Sequence, residues 1–309
     1  MRVNLVILML CLLTMFKGHG NEKWLVYSSD KNGSQDVYIH DINTGKTTQL
    51  TMFEGDVYFP TMSPNKQFAV AEGQVKSGNS DVVLFDNEGQ SRRLTQYKGW
   101  DAYPMMHPTQ DKVLFTSARD KYAGLYVKDL VSHKLEAITA NNIDSYFGRW
   151  HKNGRDVMYH TRAGLGHEFP LDIVVKNLNT GEVSPLVAWQ GNEKYANWSN
   201  DYTQVVFESD KYGKGDLFIK NLESGEISRV TYTKEKERHA SFSQSGGKLV
   251  YIVDFGKHNE VFIKDLATGK SIQVTFDKAS VWHPYFVSDK EYESFYFHWV
   301  QTISNDIND

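Results

Sequence analysis

The sequence predicts an all-β fold: a six-bladed β-propeller with four-stranded antiparallel blades. The main observation is a repeat that closes with Leu-Thr or an equivalent pair. The second residue of this pair falls at 51, 95, 139, 187, 231 and 275, so the spacings are 44, 44, 48, 44 and 44 residues. Each repeat holds four short apolar segments separated by Gly, Asn and Asp. Finally, the two ends of the chain complement each other to complete one repeat.

The clearest repeat is residues 205–231, VVFESDKYGKGDLFIKNLESGEISRVT. It reads as a strand, a Gly/Asp turn, a second strand, an Asn-Leu-x-x-Gly-Glu turn and a third strand ending in Val-Thr. A fourth strand precedes each unit, beginning at 58, 102, 146, 194, 238 and 282. No segment shows helical periodicity. Four strands in ~44 residues make one blade, with an open solenoid as the alternative architecture.

The ends of the chain predict how the ring closes. The first apolar segment, at Trp24, is of the second type, and the missing first strand is found at residues 282–287. N- and C-terminal strands should therefore share one blade, which leaves the ring without a free edge. Residues 293–300 are a further strand-like apolar segment. This segment either extends the closing blade or competes with the one at Trp24.

Residues 1–20 have the pattern of a secretory signal peptide. Arg2 precedes an apolar run from 5 to 16, and Gly18 and Gly20 stand at −3 and −1 of a cleavage site. An uncleaved anchor is the alternative. We expect residues 21–309 to be an exported propeller, periplasmic or secreted, without stable membrane insertion after cleavage. Cys11 is the only cysteine, so the mature chain has no disulfide and no thiolate chemistry.

The charge balance argues against nucleic acid as a partner. The formal net charge is −4, and residues 1–20 hold two basic residues, Arg2 and Lys17, and no acid. Removing this segment changes the net charge to −6. A chain of this sign without a basic run is a poor match for nucleic acid or anionic lipid.

Three segments of the predicted inner strands resemble a known family. They are PTMSPN at 60–65, NWSND at 197–201 and SFSQSG at 241–246. Together with the continuation at 216–231, they resemble the WD40-like (PD40) repeats of TolB propellers over residues 24–287. TolB carries an α/β domain before its propeller, whereas here the first strand follows the predicted cleavage site by four residues. The resemblance therefore implies a TolB-like propeller without that domain, and a fold that is reused for many functions.

In a propeller, the loops between repeats and the loops between second and third strands share one mouth of the axial channel. The loops between repeats hold acids, bases and tryptophans, a mixture that suits a protein or peptide epitope. A solvated rim without a partner is the alternative. The candidate partner-binding residues are Asp56, Trp100, Asp101, Asp144, Arg149, His167, Lys194, Arg238, His239, Trp282 and His283.

One repeat is four residues longer than its neighbours, and the extra length falls in residues 162–170, around His167. An enlarged loop on one blade is a common way to build a specific contact. We expect this loop to contribute to partner binding, and a neutral insertion is the alternative.

One column of the repeat is aromatic or His in all six units. Its members are Phe59, Tyr103, Phe147, Tyr195, His239 and His283. Regular aromatic columns are expected in the core between blades, so packing is favoured over a ligand pocket at the channel mouth.

Paired histidines provide the best case for an enzyme. His239 and His283 share one column, and His107 and His151 share another, so neighbouring blades could hold a metal. This would resemble oligogalacturonate lyases and imply a metal-dependent carbohydrate-active enzyme with a site in the channel. There is no Gly-x-Ser-x-Gly elbow, phosphate loop or zinc Cys cluster.

The favoured interpretation is an exported, monomeric, non-catalytic scaffold that binds an envelope or secreted protein or peptide, with no catalytic residues, metal or cofactor.

Overall fold

The computed structural model describes residues 22–295, apart from 52, 54, 66, 75–77, 87–89, 141, 163–168 and 190. These residues form six antiparallel sheets of four strands each, arranged as the blades of a propeller. The predicted fold class is confirmed. The predicted signal peptide lies outside the described residues and stays a prediction.

The blades follow the chain, and each has its first strand at the axis. Blade 1 contains β1 (Trp24–Ser29), β2 (Asp36–Asp41), β3 (Thr47–Gln49) and the last strand of the chain, β24 (Val281–Val287). Blade 2 contains β4 (Asp56–Met62), β5 (Ala69–Gln74), β6 (Ser80–Phe85) and β7 (Ser91–Arg93). Blade 3 contains β8 (Asp101–Met106), β9 (Lys112–Ser117), β10 (Gly124–Asp129) and β11 (Leu135–Ala137).

The second half of the ring repeats this plan. Blade 4 contains β12 (Ser145–Trp150), β13 (Asp156–Arg162), β14 (Leu171–Asn177) and β15 (Val183–Val187). Blade 5 contains β16 (Glu193–Trp198), β17 (Gln204–Ser209), β18 (Asp216–Asn221) and β19 (Ile227–Arg229). Blade 6 contains β20 (Lys236–Phe242), β21 (Lys248–Asp254), β22 (Asn259–Asp265) and β23 (Ser271–Gln273).

Closure occurs in blade 1, as the sequence predicts. Strand β24 pairs antiparallel with β1, and Trp24 lies opposite Val287.

The hydrophobic core is divided among the blade interfaces. Six clusters of buried side chains each join two adjacent blades, and the cluster of Val26, Val37, Ala69 and Val83 joins blades 1 and 2. Because each blade buries both faces against its neighbours, the ring must close for the core to be complete.

The closing Thr of the repeat fastens the outer strand to the third strand. The Thr51 hydroxyl accepts a hydrogen bond from the Val37 amide at 2.9 Å and donates one to Asp36. The amide-to-Thr bond recurs at Thr95, Thr139, Thr231 and Thr275, also at 2.9 Å. Blade 4 has Val187 at this position. The recurring Leu-Thr pair is therefore structural, because it satisfies an amide at the end of a short strand.

The segment after β24 differs from the sequence prediction. Residues 293–295 end a helix, α1 (Asp289–Phe295), so the strand prediction is wrong for them. Residues 296–300 lie outside the described part of the chain. A capping box begins the helix: the Glu291 amide donates to the Ser288 hydroxyl, and the Ser288 amide donates to the Glu291 carboxylate. The Trp24 ring stacks on Tyr292, with centroids 3.5 Å apart.

Candidate functional site

The two faces of the propeller carry different loops. The upper face contains the loops between blades and the loops between the second and third strands of each blade. These two sets meet: the Gln35 amide donates to Asp56 at 2.8 Å, and the Asp30 amide donates to the Ser280 carbonyl. The lower face contains the remaining turns. The structure therefore places the loops between blades beside the mouth of the channel, as predicted.

Each inner strand contains a β-bulge at the position of the aromatic column. In blade 2, Tyr58 pairs with Glu72 but Thr61 pairs with Val70, so the inner strand has one extra residue. The same shift occurs in the other five inner strands. The six column residues have positive φ between 51° and 57°. Because non-Gly residues rarely adopt this conformation, its sixfold repetition marks a structural requirement of the fold.

The bulges turn the six column side chains onto each other at the axis, where they form what we call the aromatic plug: Phe59, Tyr103, Phe147, Tyr195, His239 and His283. Ring centroids are 4.6 Å apart for Phe59 and Tyr103, and 4.0 Å apart for the two histidines. This arrangement agrees with the packing role favoured from the sequence. The plug divides the channel into an upper mouth and a lower cavity.

At the bulges, backbone amides are left without a partner in their own sheet. Side chains of the preceding blade accept hydrogen bonds from these amides. The Tyr103 amide donates to Glu72 at 3.3 Å, and the Phe147 amide donates to Thr116 at 3.1 Å. The Tyr195 amide donates to His160 Nδ1 at 3.4 Å. These contacts hold neighbouring blades together around the plug, since a buried amide without a partner is costly.

Several candidate residues meet at the upper mouth. Ring contacts run from Trp100 to Tyr146 at 6.3 Å, on to His160 at 5.6 Å, and then to Tyr195 at 5.4 Å. They continue to His239 at 4.2 Å, and from there to Trp282 at 5.7 Å. Trp100, His239 and Trp282 therefore belong to one connected aromatic surface above and within the plug.

The charged candidates at this mouth have partners within the chain. Lys194 lies 3.4 Å from Glu208, and Arg238 lies 3.2 Å from Asp254. Both cations are partly exposed, so they remain able to contact a bound molecule. Whether they do so stays a prediction.

The three acidic candidates hold loops in place. Asp101 is fully buried, and both its oxygens accept hydrogen bonds from Arg119 at 3.0 Å. Asp144 accepts a hydrogen bond from the Ala123 amide at 3.1 Å and lies 3.5 Å from the Arg162 guanidinium. With Asp56 bound to the Gln35 amide, all three carboxylates fix the loops of the upper face. Their contact with a partner stays a prediction.

Electrostatics keep the histidines of the channel neutral. Burial lowers the pKa of His160 to about 3, with further lowering by Lys194 and Arg149. Burial also holds the pKa values of His239 and His283 well below 6.5. Neutral imidazoles can each donate and accept one hydrogen bond. Withdrawal from water raises the pKa of Glu72 to about 7.

Two observations concern the metal hypothesis. Across the described residues, no group of three or more His, Cys, Asp or Glu side chains is arranged to hold a metal ion. His107 has a structural role: its Nδ1 accepts from the amides of Thr109 and Gln110, and its Nε2 bonds to the Gly154 carbonyl at 3.0 Å. His151 instead packs its ring on Tyr202, with centroids 4.6 Å apart.

The structure does not place the two remaining candidates at the upper mouth. His167 lies outside the described residues, together with most of the enlarged loop. Arg149 lies on the other side of the plug, in a cavity of about 280 Å³ that is lined by all six inner strands.

Sequence reasoning missed the most exposed apolar side chains of the upper face. Tyr232 and Phe276 are each 70% exposed, and Tyr212 is 58% exposed. Six large exposed aromatic residues lie in upper-face loops: Tyr97, Phe169, Tyr212, Tyr232, Phe255 and Phe276. A usable signal was present in the sequence. Tyr232 and Phe276 directly follow the closing Thr of their repeats, outside any strand, where alternation cannot bury them.

Within the described part of the chain, no helix is long and apolar enough to span a bilayer. Among solved structures, TolB from Acinetobacter baumannii superimposes with a TM-score of 0.74 at 16% identity, over 89% of this chain and 69% of that one. Hydrazine synthase from Kuenenia stuttgartiensis has a TM-score of 0.70 at 12% identity, over 87% of this chain and 47% of that one. An oligogalacturonate lyase in complex with manganese has a TM-score of 0.51 at 14% identity, over 81% of this chain and 72% of that one. At these identities the similarity shows the fold alone.

Sequence comparison is more specific. The Tol-Pal system protein TolB of Francisella tularensis subsp. tularensis (strain WY96-3418) is 26% identical over 140 residues, which is 44% of this chain and 32% of that protein. The chain thus matches about a third of the length of this relative. The PD40 family, described as the TolB beta propeller domain, matches residues 18–169 and 164–286. Since these two matches cover most of the sequence, the chain belongs to the TolB β-propeller domain family, PD40.

Proposed function

We propose that this chain is an exported, non-catalytic scaffold, periplasmic or secreted, that binds an envelope protein through its upper face as a single copy. One observation carries the proposal. Of nine exposed large hydrophobic side chains in the described residues, the six aromatic ones all lie in upper-face loops. The other three are Val131, Leu135 and Val183. Exposed aromatic residues gathered on one face are typical of a protein interaction site.

The chemistry of this face suits a protein interface. The Arg229 guanidinium lies over Tyr212 at 5.0 Å and over Tyr232 at 4.7 Å. Asp216 anchors the same guanidinium at 2.9 Å. Arg and Tyr are enriched at the energetic centres of interfaces, and an anchored pair loses less side-chain entropy on binding.

The upper mouth supplies polar specificity beside this aromatic rim. Lys194 and Arg238 lie next to the plug with Trp100 and Trp282 nearby, and each cation is already paired with one carboxylate. Charges placed around an apolar contact mainly fix orientation and exclude wrong partners. The similarity to a Tol-Pal system protein supports an envelope protein as the partner.

Site-specific photo-crosslinking tests the proposal. A photoreactive amino acid replaces Tyr232 or Phe276 in the full chain, which is produced in its native cells and irradiated. We expect one discrete crosslinked protein, identified by mass spectrometry, from both positions.

The matched control is the same photoreactive residue at Val131, which is 77% exposed but lies in a lower-face turn. It should give no crosslink to that protein. Equal crosslinking from Val131, or none from Tyr232 and Phe276, would contradict a partner site on the upper face.

A further inference from the structure

The lower half of the channel is a small cavity, partly open on the side away from the plug. Its volume of about 280 Å³ is near the lower limit of the roughly 300–1,000 Å³ of small-molecule sites. Its wall is a ring formed by the residue two positions after each member of the plug: Thr61, Met105, Arg149, Asn197, Ser241 and Tyr285. Arg149 is the one charged residue of this ring.

The neighbours of Arg149 in the ring use their polar groups to join the blades. Asn197 Nδ2 donates to the Ala240 carbonyl at 2.8 Å, and Ser241 Oγ donates to the Pro284 carbonyl at 2.9 Å. Tyr285 Oη donates to the Pro60 carbonyl at 2.9 Å. These donors are therefore occupied by the fold itself.

Arg149 has donors left over. Its Nε donates to Asn197 Oδ1 at 2.9 Å, and its Nη1 donates to the Gly148 carbonyl at 3.0 Å. Both hydrogens of Nη2 have no partner within the described residues, and no described carboxylate lies within 4 Å of the guanidinium. The guanidinium carbon lies over the Phe147 ring, 3.5 Å from its centroid. Burial lowers the pKa of Arg149 to about 9, so it remains a cation at neutral pH.

The acid on the cavity wall forms no ion pair with Arg149. Glu291, in α1, lines the cavity, but its carboxylate accepts hydrogen bonds from the Ser288 amide and hydroxyl, both at 2.9 Å. Arg149 is half-buried, so its guanidinium is open to the cavity. A ligand carboxylate placed there would supply the counter-charge that the described residues do not.

The roof of the cavity presents further polar atoms without partners. His239 is 5% exposed and its Nδ1 has no hydrogen-bond partner, and neither ring nitrogen of His283 has one. Buried polar atoms are nearly always hydrogen-bonded, so three orphans beside one cavity call for an explanation. Both imidazoles line the same space as Arg149.

We infer that the lower cavity binds a small organic monocarboxylate, with its carboxylate on Arg149 and its apolar body against Phe59, Met62 and Phe147. A guanidinium fork matches a carboxylate in a bidentate arrangement. One cation balances one negative charge, whereas a phosphate dianion would stay half-compensated among apolar walls. His239 and His283 would meet the polar groups of the ligand. This inference does not depend on the upper-face partner.

Calorimetric titration of the purified full chain with 3-phenylpropionate tests the inference. We expect saturable binding of one molecule per chain. The neutral analogue 3-phenylpropionamide and inorganic phosphate should each bind at least about tenfold more weakly. The amide lacks the negative charge, and phosphate lacks the apolar body. Imidazole NMR signals of His239 and His283 should shift with 3-phenylpropionate.

Variants locate the site. Arg149→Gln should weaken 3-phenylpropionate binding at least about tenfold, whereas Lys134→Gln, an exposed lower-face control with a 72% exposed side chain, should leave it unchanged. If Arg149→Gln does not fold, Arg149→Lys replaces it in the test. Lysine keeps the positive charge but lacks the planar guanidinium fork, so binding should still weaken severalfold. Absence of saturable binding, equal binding of the amide, or full binding by the Arg149 variant would overturn the inference.

Discussion

The two ends of the axial channel use charge in opposite ways. Above the plug, the cations Lys194 and Arg238 each have a carboxylate within 3.4 Å, and Asp101 is held by both its oxygens. Below the plug, the acceptors that the described residues offer Arg149 are an amide oxygen and a carbonyl oxygen. The upper end also carries the exposed aromatic residues. The difference separates charges that the fold already balances from Arg149, whose Nη2 has no partner among the described residues and is open to the ligand proposed above.

The largest expected effect tests the paired charges of the upper end. Asp101→Asn leaves the Arg119 guanidinium without its carboxylate in a largely buried place, so the free energy of unfolding should fall by about 3–5 kcal/mol. Urea denaturation followed by tryptophan fluorescence measures this change.

The matched variant for that experiment is Arg149→Gln at the lower end. Because it removes a cation that has no carboxylate partner, its free energy of unfolding should stay within about 1 kcal/mol of wild type, or rise. Equal destabilisation by Asp101→Asn and Arg149→Gln would break the comparison between the two ends.

A second prediction concerns a carboxylate beside the plug that has no cation partner among the described residues. Glu72 binds the Tyr103 amide, and withdrawal from water raises its pKa to about 7 from 4.5. Between these values the unfolded chain is ionised while the folded chain keeps its proton. The contribution of Glu72 to the free energy of unfolding is thus fully present below pH 4.5. It falls by roughly 2–3 kcal/mol as pH rises towards 7.

Glu72→Gln removes this titration. The free energy of unfolding of the variant, relative to wild type, should therefore increase between pH 4.5 and 7.5 in parallel urea series. Glu208→Gln is the paired counterpart, because it removes a carboxylate that has Lys194 at 3.4 Å. A Glu72→Gln difference that stays flat with pH would contradict the pKa shift.

The smallest effect concerns the plug itself. His283→Phe removes two ring nitrogens that have no partner and restores the Phe found in this column in blades 2 and 4. The free energy of unfolding should rise by about 1 kcal/mol, since buried polar atoms without partners are replaced by apolar ones. A loss of stability in the same urea assay would show that His283 is held by contacts that Phe cannot replace.

Much of the fold could be predicted from the sequence, because the repeat records it directly. The Leu-Thr pair marks a hydrogen bond that recurs in five blades, and the segment ending at Val287 supplies the strand that pairs with Trp24. The helix α1 was missed because aromatic residues at 292–297 favour a strand by composition, while the capping pair Ser288 and Glu291 carries the helix signal.

The site was harder to predict, because the inner bulge breaks the alternation on which sequence reasoning depends. One extra residue at each plug position changes which later residues face the axis, so Arg149 falls in the lower cavity instead of at the upper mouth. Ion pairs such as Asp101 with Arg119 join a strand residue to a residue of a neighbouring loop and were not visible as pairs in the sequence. The exposed aromatic residues were visible, but lay outside the repeat pattern.

The most direct test of the account compares two ligands across two variants. The ligands are the protein crosslinked through Tyr232 and 3-phenylpropionate, and the variants are Tyr212→Ala/Tyr232→Ala and Arg149→Gln. The double variant should lose at least about tenfold in affinity for the protein and retain the carboxylate, while Arg149→Gln should do the reverse. If either variant loses both ligands while remaining folded, the two ends of the channel do not act as separate sites.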